Sequence, residues 1–146
     1  TTRARELAKV LDTTIAIIDK RRPQPNCAEV MNIVGEIEGK NCIIIDDMVD
    51  TAGTLSIVIK VLKERGAKEV YACCSHALLS GNAIDKIADT PIKELVVTNS
   101  VQLSPDKMKP FVKQLSVANL FGRGILNIAD DQPISDLFVY NPKGKC

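Results

Sequence analysis

Aromatic residues are scarce: the chain has no tryptophan, two tyrosines and three phenylalanines, so its core has to be assembled from Ile, Val, Leu and Ala. Net charge is nearly absent too. Nineteen Lys and Arg face 18 Asp and Glu, a formal charge of +1. That balance excludes a molecule-wide field for nucleic acid or an anionic membrane and confines any basic function to a local patch. No apolar run approaches the roughly 20 residues that a membrane-spanning helix needs, and no charged-then-apolar leader opens the chain. A soluble, cytoplasmic protein is expected, with neither nucleic acid nor membrane as partner. Five cysteines, Cys27, Cys42, Cys73, Cys74 and Cys146, make an odd set without zinc-type spacing, which points to reduced, buried thiols. His76 is the one histidine. It is tempting as a general base, yet the sequence shows no orienting partner for it.

With 146 residues, 45% of them hydrophobic and 25% charged, the chain is the size of one domain and long enough to bury a core. Residues 1–146 are therefore read as a single domain. The opening, Thr2-Arg3-Ala4-Arg5-Glu6-Leu7, starts a helix with no strand before it, as a piece cut from a longer chain would.

The most informative stretch runs from Asn41 to Thr54. A β-branched run, Ile43-Ile44-Ile45, ends in Asp46 and Asp47, and a small-residue turn, Asp50-Thr51-Ala52-Gly53-Thr54, leads into an amphipathic helix. At the carboxyl edge of a parallel sheet, strand exits and helix amino ends open into one crevice. The first-turn N–H groups and the helix dipole there favour a phosphate. Small side chains let backbone approach it, Gly53 permits unusual dihedrals, and the hydroxyls of Thr51 and Thr54 can donate. Asp46 and Asp47 would repel a phosphate but accept from a vicinal diol or from the water shell of Mg²⁺. Phosphate donors beside diol acceptors suggest a sugar phosphate. The same residues also cap helices and finish strands for purely structural reasons.

Along the chain, the spacing predicts a helix over 2–11, a short strand at Thr14–Ile18 ended by Asp19, and an exposed loop from Lys20 to Asn26 with three successive cations and two prolines. A strand at Glu29–Val34 would complete a hairpin arm able to fold over the site. A helix with its apolar stripe at Leu55, Val58, Ile59 and Leu62 ends near Gly66. Then come strands at Glu69–Cys74, Lys93–Thr98 and Phe111–Leu115, a helix over 82–88, a helical turn at Ser104–Lys107, and a last helix over 117–129 that contains Gly122 and Gly124. Alternation of this kind predicts a three-layer α/β domain with a mostly parallel sheet. The tail, with Leu137 and Phe138, is expected to dock on this domain or a neighbour.

With the Ile17-Ile18-Asp19-Lys20-Arg21-Arg22-Pro23 arm and the Ile44 to Thr54 loop in hand, the chain resembles the ribose-phosphate pyrophosphokinase (phosphoribosyl pyrophosphate synthetase) family nearly end to end. Ala28 to Gly35, His76 to Gly81 and Lys93 to Ser100 match as well. The resemblance implies a phosphoribosyltransferase-like fold with a protruding basic arm. It implies pyrophosphoryl transfer from Mg-ATP to the 1-hydroxyl of ribose 5-phosphate, with AMP leaving. Asp50, Thr51, Ala52, Gly53 and Thr54 would hold the 5-phosphate, and Asp46 and Asp47 the ribose hydroxyls. Lys20 and Arg22 would close over the transferring group as the catalytic cations.

The resemblance further implies that these residues are the C-terminal half of the enzyme. The ATP-binding half and the family's Mg²⁺ ligands then lie outside the chain, so no metal ligand is assigned within it. It implies a homo-oligomer with a nucleotide effector pocket to which Ser135 and Phe138 would contribute, although Pro133 stands where a serine is common. On these grounds the fragment is expected to be nearly inactive alone. A phosphoribosyltransferase, a non-catalytic synthetase-associated regulatory subunit and a phosphoacceptor signalling domain are the alternatives; the Lys-Arg-Arg arm argues against the first, the retained Lys20 and Arg22 against the second, and the adjoining phosphate turn fits the third poorly.

Overall fold

The computed structural model describes the backbone of residues 2–21 and 30–138, and the side chains of 2–18 and 32–138. Two sheets organise them. The smaller is an antiparallel ribbon of β1 (Ile17–Arg21) and β2 (Val30–Val34), in register from Ile17 opposite Val34 to Arg21 opposite Val30. It is preceded by helix α1 (Thr2–Val10). The larger sheet is fully parallel, in the order β3 (Asn41–Val49), β4 (Glu69–Ala77), β5 (Ile92–Thr98), β6 (Val112–Leu115). Helices α2 (Gly53–Glu64) and α3 (Ala83–Ala88) form the first two crossovers, a short 3₁₀ turn at Pro105–Lys107 lies in the third, and α4 (Ala118–Ala129) follows β6.

Burial follows strand alternation. Val70, Ala72 and Cys74 of β4 and Leu95 and Val97 of β5 are buried on one face, under Leu55, Val58, Ile59 and Leu62 of α2 and Ile84 and Ile87 of α3. The core is thus aliphatic, as the composition requires. Each of these larger side chains contributes about 1.5–3 kcal/mol relative to exposure. The opposite face carries Ile43, Glu94, Lys113 and Leu115, none of them buried.

Helices α2 and α3 both pack on the same face of the parallel sheet. Topology supplies the reason: parallel crossovers are right-handed, and in a sheet whose order follows the sequence every crossover then falls on the same face. The strands differ from their sequence bounds. Asp19 does not end β1, which pairs on through Arg21, and β3 and β4 run past Asp46 and Cys74 to Val49 and Ala77, paired again at Met48–His76 and Val49–Ala77. The hydrogen-bonded ladder overrides the local preference of carboxylates for strand exits.

α1 lies beside β3, with Arg3 and Asp47 in ion-pair contact at 3.1 Å, and a groove of about 580 Å³ separates α1 and residues 13–18 from the outer edge of β3. The tail forms a 3₁₀ turn, Ser135–Phe138, against α4; Leu137 sits beside Gly124 while Phe138 points away, 78% exposed.

Candidate functional site

β3 delivers Asp46 and Asp47 to the carboxyl edge of the sheet, three and two residues short of its end, both exposed. The backbone N–H of Asp47 donates to Asp46 Oδ1 at 2.9 Å, which draws the first carboxyl back along the strand towards the second. The two titrate apart. Partial burial, reinforced by the contact with Asp47, pushes the Asp46 carboxyl above the usual carboxylate range. A hydrogen bond from Asp46, backed by the Arg3 guanidinium, holds Asp47 below it. The edge therefore offers two carboxyls of unequal acidity, Asp46 the weaker acid and Asp47 the stronger.

Beyond Val49 the chain turns sharply into α2. The unusual dihedral falls on Ala52, in the left-handed region with φ 57°, and not on Gly53 as the sequence suggests. Ala52 is buried. A left-handed conformation at a residue with a Cβ costs about 1–2 kcal/mol, and the second loop at this edge holds another such residue, fully buried Leu79 with φ 49°. Strain of this kind is held in place by surrounding contacts, and here the loops are knitted together. Val49 O accepts from the N–H groups of Leu78 and Leu79 at 3.0 and 3.1 Å, and Asp50 O from that of Ser80 at 3.0 Å.

Ala52 stands at the N-cap of α2, where alanine is a poor choice, and no side chain caps the helix. Ser56 Oγ turns inward to the carbonyls of Ala52 and Gly53, 2.8 and 3.0 Å away. Asp50, Thr51 and Thr54 are exposed around this end, and a Cβ built on Gly53 would meet nothing within 4 Å. The result is a row of first-turn N–H groups facing open space, edged by two threonine hydroxyls. Such a turn can bind an anion.

The sequence reading missed Lys86, whose Nζ donates to Thr51 O at 3.3 Å and brings a cation to the rim of this turn from α3. It also missed the polar cluster at the ends of β4 and β5, where Ser100 Oγ lies 2.9 Å from His76 Nδ1. No sequence spacing signals either contact, since both depend on which rungs the sheet aligns. Lys20 lies on β1, its backbone opposite Met31, and Arg22 falls outside the described residues. Ser135 and Phe138 are on the α4 side, with no hydrogen bond among the described residues to 46–54. No three His, Cys, Asp or Glu side chains among the described residues gather as a metal-binding group, and no described helix is long and apolar enough to cross a membrane. Cys42, Cys73 and Cys74 are free thiols, and burial pushes Cys74 up to about 11, which leaves it inert at neutral pH. Cys27 and Cys146 lie outside the described residues.

Residues 2–139 match the phosphoribosyl synthetase-associated domain. The chain is 57% identical over 137 residues to the ribose-phosphate pyrophosphokinase of Staphylococcus aureus strain Mu50, covering 94% of this chain and 43% of that protein. It is 56% identical over 137 residues to the enzyme of the same name in Staphylococcus epidermidis, with the same coverage. The fold is similar to the crystal structure of phosphoribosylpyrophosphate synthetase from Mycobacterium smegmatis, with a TM-score of 0.79 at 32% identity, over 90% of this chain and 43% of that one. The chain thus spans less than half the length of the curated relatives it matches.

Proposed function

Because the chain belongs to the phosphoribosyl synthetase-associated domain family, we propose that it is the ribose 5-phosphate-binding, C-terminal half of a ribose-phosphate pyrophosphokinase. The complete enzyme would transfer pyrophosphate from Mg-ATP to the 1-hydroxyl of ribose 5-phosphate, giving phosphoribosyl pyrophosphate and AMP. The observation that carries this reading is the uncapped amino end of α2 behind the left-handed Ala52, with open space at Gly53. A helix end left without a side-chain acceptor is matched to an external anion.

In this reading the N–H groups from Gly53 onward and the hydroxyls of Thr51 and Thr54 bind the 5-phosphate. Lys86 adds positive charge at the rim. Asp50 orders the turn through Ser80. Asp46 and Asp47 accept from the ribose hydroxyls, on the side of the crevice where a second phosphate would be repelled. Lys20 and Arg22, the first on β1 and the second outside the described residues, close over the transferring group, neutralising its charge and excluding water.

ATP enters through the part of the enzyme beyond this chain, and Mg²⁺ with it. The donor set here does not fit a resident metal, because among the described residues Asp46 and Asp47 stand without a third ligand and Asp47 is engaged by Arg3. The complete protein is read as a cytoplasmic homo-oligomer of phosphoribosyltransferase-like fold. Ser135 and Phe138, the latter exposed, are available for an effector pocket between subunits.

Calorimetric titration of this chain with ribose 5-phosphate tests the reading, with ribose and inorganic phosphate as controls. Saturable binding of the sugar phosphate, tighter than either control and abolished by Thr54→Val, is expected. A folded sample that binds none of the three would refute a self-contained sugar phosphate site.

A further inference from the structure

β3 is an end strand of the parallel sheet, with β4 on one side and no described strand on the other. Its composition does not suit an edge. Strands inside a parallel sheet read as continuous apolar runs, whereas edges are blunted by charge, above all by lysine. β6, at the opposite edge, obeys the second rule, with Lys113 and Gln114 between its apolar ends. β3 obeys the first: Cys42-Ile43-Ile44-Ile45 takes up its first half, and Ile43 stands 49% exposed.

Across the groove of about 580 Å³ from that edge lies a second unpaired stretch. Residues 13–16 precede β1 and belong to no ladder among the described residues. Gly35 closes one side of Ile15 and Ala16, so tightly that a Cβ on it would come within 2.9 Å of the Ala16 Cα. Another side opens on the groove, which Leu7, Leu11, Ile15 and Ile17 line opposite Ile43 and Ile45. With strands about 4.8 Å apart, sheets about 10 Å apart and a rise of about 3.3 Å, a strand residue takes roughly 160 Å³. The groove has room for about four.

The entry to α1 sets the direction of such a strand. Arg3, in the first turn of α1, pairs with Asp47 near the carboxyl end of β3 at 3.1 Å, so the chain enters α1 at the carboxyl edge of the sheet. A strand parallel to β3 ends at that edge and needs only a short loop to reach α1. An antiparallel one would end at the opposite end, near Asn41. We infer that the groove is the seat of a strand of the complete enzyme, the one leading into α1, added parallel to β3 between it and residues 13–16. This rests on the reading of the chain as the C-terminal half of that enzyme. The strand, α1 and residues 13–18 then form a right-handed βαβ unit. Its crossover runs across the sheet in the reverse sense to those through α2 and α3, which sets α1 on the face that they leave open and makes the Ile43 strand an interior one.

Hydrogen exchange read by mass spectrometry tests this in the present chain and in the complete enzyme. Every second N–H of β3 bonds to β4, and the others face the groove. About half of the amides of residues 41–45 should exchange fast in this chain, and all should be slow in the complete enzyme, by about a hundredfold or more. The segment just ahead of Thr2 should be protected with them. If that segment exchanges freely while β3 is protected, another part of the enzyme covers the edge and the assignment is overturned. Protection in this chain alone that rises with its concentration gives the groove to a second copy, which also overturns it. Ile43→Lys should leave the urea midpoint of this chain in place and lower that of the complete enzyme; where the latter variant does not fold, exchange in the parent still gives the answer. Ribose 5-phosphate titration of the same samples separates the two readings. Fast groove-facing amides in a complete enzyme that binds the sugar phosphate overturn the strand alone, and protected amides without binding uphold the strand and overturn the sugar phosphate site.

Discussion

Asp46 is held at an energetic disadvantage. Its carboxyl sits above the ordinary value because burial and the neighbouring Asp47 disfavour the charged form, so the folded chain binds that proton more tightly than the unfolded one does. Stability attributable to Asp46 falls as pH rises from the unfolded value through the raised folded one. Asp46→Asn removes the loss, and the variant should melt at a higher temperature than the parent at neutral pH while differing little in acid, where both are uncharged. Ribose 5-phosphate binding should be weakened in the same protein. Asp47 has the opposite sign, its stabilisation present above the unfolded value and lost as pH falls through the depressed one, but it is exposed and salt-screened, so Arg3→Ala should change little. Thermal melts at two pH values measure both effects. A lower neutral-pH melting temperature for Asp46→Asn would mean that the carboxylate is stabilising and the direction of its shift wrong. The acidic pair and the small-residue turn were legible in the sequence because chemistry and spacing are local. The left-handed Ala52 was not: the adjacent glycine is the residue that ordinarily takes such a conformation, and only the packing of Ala52 into the core moves it one place earlier. The pairing of His76 with Ser100, 24 residues away, depends on strand register, which composition does not encode.

α2 joins this loop to the core, and substitutions in its middle and at its amino end should separate stability from binding. Ile59 is fully buried under the sheet, so Ile59→Ala should cost about 2–5 kcal/mol. A shift of the urea midpoint at unchanged slope would express that cost. Ala52 probes the strain instead. Ala52→Gly relieves a left-handed backbone worth about 1–2 kcal/mol but loses a buried methyl worth about 0.8 kcal/mol and gains chain entropy in the unfolded state worth about 0.5–1 kcal/mol. The net change should lie close to zero. Ala52→Val, β-branched and overpacked where φ is positive, should destabilise by about 2 kcal/mol or more and disturb the phosphate turn. A stable Ala52→Val protein that still binds ribose 5-phosphate would show that the turn is not strained and not specific. Element types and order were readable from periodicity, and α2 in particular from its stripe of Leu55, Val58, Ile59 and Leu62. Strand ends were not, since β3 and β4 are extended by pairing with each other.

Crossover handedness also decides how much apolar surface the molecule leaves in water. Because β3 to β6 follow chain order, α2 and α3 shield one face, and Ile43 and Leu115 stand 49% exposed on the other. α4 is amphipathic yet buries none of its residues, with Phe121, Ile125 and Ile128 exposed by 62, 66 and 66%. A composition with few aromatics and a balanced charge gave no warning of this, because an apolar stripe at helical spacing reads the same whether or not anything covers it. Contiguous apolar surface of this kind binds hydrophobic dyes. The folded chain should therefore enhance the fluorescence of anilinonaphthalene sulfonate, and the double substitution Phe121→Lys, Ile125→Lys should reduce that signal. Since neither side chain is buried, each change should move stability by no more than about 0.5 kcal/mol, which urea unfolding would verify in the same samples. Ile43→Lys addresses the sheet face separately. If dye binding survives the α4 substitutions and falls with Ile43→Lys, the open sheet face is the dominant apolar surface; if neither lowers it, the folded chain covers these faces and their exposure is refuted.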